Sequence, residues 1–94
     1  MKIHVRIYGR VQGVGYRAWT VHRALQLGIF GFVRNRRDRS VEVYAEGEAD
    51  VLTCFLSDCR QGPCLARVDE IRPVSYPDAP MPQIQCEFKM YPTV

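Results

Sequence analysis

One short stretch near the start of the chain has the composition of an anion-binding loop. Residues 9–17 read GRVQGVGYR and stand between an alternating apolar stretch and a stretch with helical spacing. Glycines at a strand-to-helix junction let backbone N–H groups turn inward without a Cβ clash, and the start of the helix adds its positive dipole end. Arg17 adds a planar, permanently charged fork that suits two phosphate oxygens at once. The segment predicts a site for a phosphate-like anion.

The length and composition of the chain indicate a single globular domain over residues 1–94. With 47% hydrophobic and 24% charged residues, the chain can form one core but not two. The net charge of +3 is too mild to imply a nucleic-acid partner. The first residues lack the apolar core of a secretory signal, and no segment is long and apolar enough to span a membrane. We therefore expect a cytoplasmic protein.

The cysteine pattern does not favour a metal site. No two cysteines form a C-x-x-C pair, and His4 and His22 lie far from them in sequence, so zinc is not expected. A chain without a leader normally works where thiols stay reduced, which favours buried or half-buried inert thiols, with a disulfide as the alternative. The four cysteines are Cys54, Cys59, Cys64 and Cys86.

The first half of the chain reads as a strand, a helix and a hairpin. Residues 2–8 alternate at period two, which predicts a strand, and a helix is predicted over 17–27 with its end at Gly28. Strands over 29–35 and 41–46 flank a polar tip, and the second alternates apolar with polar residues, which predicts one buried and one solvated face. The apolar stripe predicted for the helix is Ala18, Val21 and Leu25.

The second half of the chain repeats this order of elements. A second amphipathic helix, ended by Gly62, is followed by a weaker strand over 68–76. Its alternation slips around residues 70–71 and Pro73 removes a backbone donor, which predicts a bulge or an edge position. A surface loop over 77–82 and a last strand over 84–89 complete the chain. This order predicts an α+β fold, a ferredoxin-like split βαβ sandwich with a mostly antiparallel sheet and two helices on one face. The apolar stripe predicted for the second helix is Leu52, Phe55, Leu56 and Cys59.

Two segments resemble the signatures of the acylphosphatase family. They are residues 9–17 and the sequence GFVRN at 31–35, and the likeness extends over essentially the whole chain, including Gly62-Pro63 and residues 66–69. The resemblance is to the small single-domain, bacterial-type members. It implies a ferredoxin-like enzyme that hydrolyses the carboxyl-phosphate bond of acyl phosphates without a metal or other cofactor.

The resemblance also implies a role for each matching residue. Arg17 corresponds to the catalytic arginine that binds the phosphate, and Asn35 to the asparagine that positions the attacking water. The implied partner is a small acyl phosphate, with inorganic phosphate or sulfate as other occupants of the site; we expect a monomer with no nucleic-acid or membrane partner. The residues whose backbone N–H groups would hold the phosphoryl oxygens are Gln12, Gly13, Val14, Gly15, Tyr16 and Arg17.

Simpler structural interpretations exist for the same residues. Arg17 can cap a helix or pair with an acidic neighbour, and Asn35 can be a turn residue at the end of a strand. His4 and His22 are interpreted as surface or structural residues. An arginine cluster is interpreted as a solvated hairpin tip, with steering of anions as the alternative. Its members are Arg34, Arg36, Arg37 and Arg39.

Three positions depart from the family pattern. Phe32 stands where the family often has Trp, and Arg36 where Thr is frequent. Arg39 occupies a turn position where Gly is common, and a positive φ there would cost about 1 kcal/mol. These departures affect fine geometry and rate rather than reaction type.

Two other classes of function compete with hydrolysis. One is a noncatalytic module that binds anions or a protein, like the acylphosphatase-like domains built into larger carbamoyl-transfer maturation proteins. The other is an RNA-binding domain on the same plan, which would stack bases on exposed aromatic residues of the sheet. Tyr44 is a candidate for such stacking, but residues 41–46 carry two glutamates and no basic aromatic signature.

Overall fold

Two helices pack on a five-stranded sheet in the computed structural model, which describes residues 1–77, 80–84 and 86–94. The strands lie in the order β4-β1-β3-β2-β5, and all pairs are antiparallel except the parallel pair β2–β5. The predicted ferredoxin-like α+β fold is thus confirmed. Within the described ranges, neither helix is long and apolar enough to cross a membrane. The elements are β1 (Lys2–Arg10), α1 (Tyr16–Leu27), β2 (Phe30–Asn35), β3 (Val41–Glu46), α2 (Ala49–Gln61), β4 (Arg67–Pro73) and β5 (Phe88–Tyr91).

The core lies between the two helices and one face of the sheet. Residues two apart on a strand share a face, so the alternation in β1 and β3 directs one set of side chains toward α1 and α2. The buried strand residues include Val5, Ile7, Val33, Val43 and Ala45.

The buried face of α1 differs from the predicted stripe. Tyr16, Thr20 and Ala24 are buried, whereas Ala18 and Leu25 are exposed. Polar groups are tolerated on the buried face because each finds a partner. The Tyr16 hydroxyl donates to the carbonyl of Cys59 at 2.6 Å, and the Thr20 hydroxyl donates to the carbonyl of Tyr16 at 2.8 Å. The predicted end of the helix at Gly28 is confirmed.

The buried face of the second helix was predicted correctly, but the burial of most of the cysteines was not. The buried residues of α2 are Leu52, Phe55 and Cys59, as its spacing predicts. Burial, with a smaller contribution from the neighbouring Asp58, raises the pKa of the Cys59 thiol to about 12, which makes it inert at neutral pH. All four cysteines are free thiols, and the prediction of burial is wrong for the exposed Cys54, Cys64 and Cys86.

The irregularity predicted for the fourth strand is confirmed. β4 is an edge strand paired only with β1 among the described residues. Its register shifts where Tyr8 pairs with Glu70 but Gly9 pairs with Val68, so Asp69 is the extra residue of a bulge. Pro73 ends the strand at the edge of the sheet, where a missing N–H is tolerated.

The last strand lies further along the chain than predicted. β5 begins at Phe88 and runs parallel to β2, whereas Ile84 and Cys86 precede it without regular structure. Gln85 of the predicted strand, and residues 78 and 79 of the predicted loop 77–82, lie outside the described residues. The described part of that loop has no helix or strand. The prediction of a strand over 84–89 is therefore wrong in position.

The polar side of β3 is not solvated, which corrects a prediction for the hairpin. Glu42 is 2% exposed and accepts hydrogen bonds from Arg34 at 2.9 Å and from Arg36 at 2.7 Å. The ring of His4 lies 2.6 Å from the other carboxylate oxygen. Arg34 also donates to the carbonyl of Pro80, so the chain after β4 covers this face. Arg34 and Arg36 are thus buried network members, while Arg37 and Arg39 are exposed as predicted.

We expect Glu42→Gln to lower the free energy of unfolding by roughly 3–5 kcal/mol at pH 7, because it removes the carboxylate charge that pairs with the buried guanidinium groups of Arg34 and Arg36. Burial alone would raise the pKa of Glu42, but hydrogen bonds from His4, Arg34 and Arg36 outweigh it and lower the pKa from 4.5 to about 2. The contribution of this carboxylate to the free energy of unfolding is therefore complete above pH 4.5 and is lost as the pH falls toward 2.

Urea unfolding between pH 7 and pH 2 measures both effects. The variant should lose less stability than the wild type across the acidic range. Parallel pH profiles for the two proteins would contradict this account of Glu42.

Candidate active site

The loop between β1 and α1 contains backbone conformations with positive φ, which few residues other than glycine adopt. Gly13 and Gly15 have φ angles of 75° and 79°, in the left-handed region. A Cβ at either position would meet no atom within 4 Å, so the backbone angle rather than crowding favours glycine. Positive φ at alternate residues turns successive N–H groups toward a common side, the geometry of an anion nest.

The start of α1 adds to this positive environment. Gly15 is the N-cap residue and supplies no side-chain hydrogen bond, and the first turn contains no acidic residue. The N–H groups of that turn therefore have no side-chain cap, and the helix dipole contributes a partial positive charge there.

Arg17 and Asn35 meet at one cavity of about 170 Å³. Arg17 comes from the first turn of α1 and Asn35 from the end of β2. Arg17 is the single charged residue among those that line the cavity, and no carboxylate lies among them. The cavity is therefore cationic. Its lining residues are Val11, Gln12, Gly13, Gly15, Tyr16, Arg17, Ala18, Asn35 and Met90.

The side chains of both central residues are available to a ligand. Across the described ranges, no hydrogen bond or ion pair involves the Arg17 guanidinium or the Asn35 carboxamide. The backbone of Asn35 is nevertheless fixed, because it pairs with Val41 and its carbonyl accepts a hydrogen bond from the N–H of Val94 at 3.2 Å. A fixed backbone with an uncommitted side chain suits a ligand-binding role.

The other loop residues can offer only their backbone to an anion. Val14 packs against the core, and the side chain of Tyr16 is buried. Burial, together with Cys59, raises the pKa of Tyr16 well above its usual value, so its hydroxyl is neutral. The lining contains no His, Asp, Glu or Cys to act as a base or nucleophile. In the described part of the chain, no three His, Cys, Asp or Glu side chains are grouped as metal ligands.

Gln12 ties the loop to the β2–β3 hairpin. Its amide Nε2 donates to the carbonyls of Arg36 and Ser40, both at 2.9 Å. The side chain of Gln12 is thus a structural support, a function that the sequence motif did not reveal. The hairpin turn, which includes Arg36 and Ser40, follows Asn35 directly, so this contact sets the loop relative to the asparagine.

We expect Gln12→Ala to weaken the binding of inorganic phosphate about tenfold, because the loop loses its link to the hairpin. The loss of two hydrogen bonds should also lower the free energy of unfolding by about 1–2 kcal/mol. Calorimetric titration with phosphate and urea unfolding measure the two effects, with the exposed Gln83→Ala as the control. A free energy of unfolding that falls while phosphate affinity stays unchanged would show that the link does not order the anion loop.

Sequence reasoning did not assign three of the lining residues to the site, Val11, Ala18 and Met90, and of these Met90 is the one far from the loop in sequence. It reaches the cavity because β5 pairs in parallel with β2, which places Met90 opposite Val33. Parallel pairing between distant segments leaves no local sequence pattern, so no signal in the sequence pointed to this residue.

Fold and cavity together define a ferredoxin-like α+β protein with a cationic, glycine-lined site. The sequence model of the acylphosphatase family matches residues 3–85. The chain therefore belongs to the acylphosphatase family, whose members are hydrolases acting on acid anhydrides.

Individual relatives agree with this assignment. The chain is 47% identical to an acylphosphatase of Nitrobacter hamburgensis over 90 residues, which are 94% of this chain and 91% of that protein. It is similar to the crystal structure of the Bacillus subtilis acylphosphatase, with a TM-score of 0.79 and 27% identity over 96% of this chain and 97% of that one. It is also similar to full-length HypF in its phosphate- and nucleotide-bound form, with a TM-score of 0.76 and 26% identity. That match covers 98% of this chain and 12% of HypF. Family and fold support the hydrolysis of acyl phosphates.

Proposed function

We propose that this protein is an acylphosphatase whose reaction takes place in the cavity between the β1–α1 loop and the end of β2. The observation that carries the proposal is that Arg17 and Asn35, which are distant in sequence, line one cavity with the glycine loop. In the proposal the protein acts as a cytoplasmic monomer with a single domain over 1–94. Size-exclusion chromatography tests the oligomeric state, and cell fractionation tests the location.

The phosphoryl group of the substrate is held by the loop and by Arg17. Phosphoryl transfer spreads negative charge over three equatorial oxygens, so fixed donors around them stabilise the transition state. The backbone N–H groups of residues 12–17 supply neutral donors, and the guanidinium of Arg17 adds a charge and a two-pronged fork. Donors on a strand-loop-helix support are already ordered before the substrate arrives.

Asn35 positions the attacking water. A carboxamide offers both an acceptor and a donor, so it can orient water without acting as a strong base. The water oxygen forms a bond to phosphorus, and the bond from phosphorus to the acyl oxygen breaks with its electron pair going to the carboxylate. One proton of the water remains on the phosphate product and the other passes to a phosphate oxygen, so that one acyl phosphate and one water give a carboxylate and dihydrogen phosphate.

The leaving group explains why this cavity needs no general acid. A carboxylate with a pKa of about 4 leaves readily without a proton. The one hydroxyl among the lining residues, that of Tyr16, is buried and donates to the Cys59 carbonyl, so water attacks phosphorus directly and no phosphoenzyme forms.

Hydrolysis of acetyl phosphate in the presence of a chelator tests the proposal. The purified protein should release phosphate at a rate that the chelator leaves unchanged. Rapid-quench single turnover with 32P-labelled substrate should give labelled phosphate with no label on protein. No turnover, or a phosphorylated residue, would overturn the proposed reaction.

The two competing functions are less well supported. A noncatalytic module is consistent with the similarity to a small part of HypF, and measured turnover separates it from an enzyme. RNA stacking requires exposed aromatic rings on the sheet. Phe32 is fully buried and stacks on Tyr44, with 5.8 Å between ring centroids, so these rings are committed to each other.

A further inference from the structure

A second cavity adjoins the proposed active site. It has a volume of about 440 Å³ and shares three residues of the loop with the first cavity. Asn35 lines the first cavity, whereas Arg39 lines the second. A group bound in one cavity therefore lies against the same three loop residues as a group bound in the other. The lining residues of the second cavity are Gly9, Arg10, Val11, Gln12, Gly13 and Arg39.

The charged residues of this second cavity are both arginines. Arg10 and Arg39 are exposed, and neither side chain has a hydrogen bond or an ion pair with any residue the structure describes. The nearest carboxylate in sequence, Asp38, is engaged elsewhere. It pairs with Arg6 at 3.0 Å and accepts hydrogen bonds from the backbone and hydroxyl of Ser40. The positive charge beside the loop is therefore not neutralised by an ion pair.

The backbone position of Arg39 is fixed relative to the anion loop. Its φ of 75° is the single positive value among described residues other than glycine, and its N–H donates to the carbonyl of Arg36 at 3.0 Å. The same Arg36 carbonyl accepts a hydrogen bond from Gln12 of the loop. Hairpin and loop are thus joined through one carbonyl, so Arg39 stands at a set distance from the phosphoryl site.

We propose that Arg10 and Arg39 form a second anion subsite, which selects acyl phosphates whose acyl group carries a carboxylate of its own. The inference rests on the proposed function, since it assumes that the phosphoryl group lies in the first cavity. A guanidinium binds a carboxylate in a bidentate, charge-assisted manner, so the distal carboxylate is recognised by the same chemistry as the phosphate.

Two substrates of equal chain length test this selectivity. Succinyl phosphate carries a terminal carboxylate where butyryl phosphate carries a methyl group. The wild type should have the higher kcat/KM for succinyl phosphate, and Arg39→Gln should lower that value about tenfold while changing the value for butyryl phosphate less than about twofold. Arg37→Gln is the matched control, because it removes one charge from the same exposed hairpin tip outside both cavities.

A binding measurement separates this inference from the proposed function. Calorimetry with the non-hydrolysable succinyl and butyryl phosphonates reports binding without turnover. Preferential binding of succinyl phosphonate that Arg39→Gln abolishes, with no turnover of either phosphate, would keep the subsite and overturn the enzyme. Turnover without preference, equal effects of Arg39→Gln on both substrates, or the same loss in Arg37→Gln would overturn the subsite and keep the enzyme. Failure of both phosphonates to bind, with no turnover of either phosphate, would overturn both.

Discussion

Replacing Asn35 by alanine is expected to lower kcat for acyl phosphate hydrolysis by roughly 10²–10³-fold. The substitution removes the group proposed to orient water but leaves the charge of Arg17 and the loop N–H groups in place. The phosphate site should therefore survive, and inhibition by inorganic phosphate should change less than about twofold. Steady-state kinetics with acetyl phosphate and phosphate as inhibitor measure both quantities.

Thermal unfolding is the control that separates a catalytic effect of this variant from a loss of fold. Asn35 keeps its backbone partners in the alanine variant because its contacts with Val41 and Val94 involve main-chain atoms. Thermal unfolding should accordingly remain close to that of the wild type. Wild-type turnover in Asn35→Ala would refute the role given to the carboxamide.

Arg17→Ala is expected to lose turnover and phosphate binding together. Arg17 is the one charge in the cavity, so the variant leaves the anion with neutral donors only. A drop in kcat/KM of about 10³–10⁵-fold is the scale for an arginine that stabilises phosphoryl transfer. Phosphate inhibition should disappear at concentrations that halve the wild-type rate.

Two further variants make this result specific to the cavity. Arg17→Lys keeps the charge but loses the planar fork, so it should recover phosphate inhibition in part and turnover only slightly. Arg60→Ala removes an exposed arginine from the last turn of α2, which is distant in sequence from Arg17 and Asn35. It should leave turnover and phosphate inhibition unchanged. Equal losses in Arg17→Ala and Arg60→Ala would point to net charge rather than to a site.

Sequence patterns within a single segment predicted the features that depend on residues close together in the chain. The spacing of Leu52, Phe55 and Cys59 defines one face of α2, and Gly28 and Gly62 end the helices with positive φ. The bulge of β4 was visible because the alternation in the sequence slips there. Such signals come from geometry within one element, so a single segment carries them.

Contacts between distant segments account for most of the errors. Glu42 looks solvated in the alternation of β3, yet the chain after β4 covers it and two arginines compensate its charge. Thr20 is buried in α1 because its hydroxyl bonds back to the helix, which a hydrophobic pattern does not register. The predicted last strand was misplaced because its start depends on pairing with the distant β2, and that pairing begins with Phe88 opposite Gly31.

Most of the residues that line the candidate cavity were named from the sequence, but its construction was not predictable. The glycine loop and Arg17 form one continuous motif, whereas Asn35 entered only through the family resemblance. The cavity that brings them together depends on the strand order, which places the end of β2 near the loop. The link from Gln12 to the hairpin and the position of Met90 follow from tertiary contacts that no short segment encodes.

A crystal structure with inorganic phosphate bound tests the central claim most directly. We predict one phosphate in the cavity between the β1–α1 loop and β2, with its oxygens on the backbone N–H groups of residues 12–17 and on the guanidinium of Arg17. The Asn35 carboxamide should face the same ion through a water molecule. A phosphate bound elsewhere, or an empty cavity with the Arg17 guanidinium paired to a carboxylate, would contradict the account.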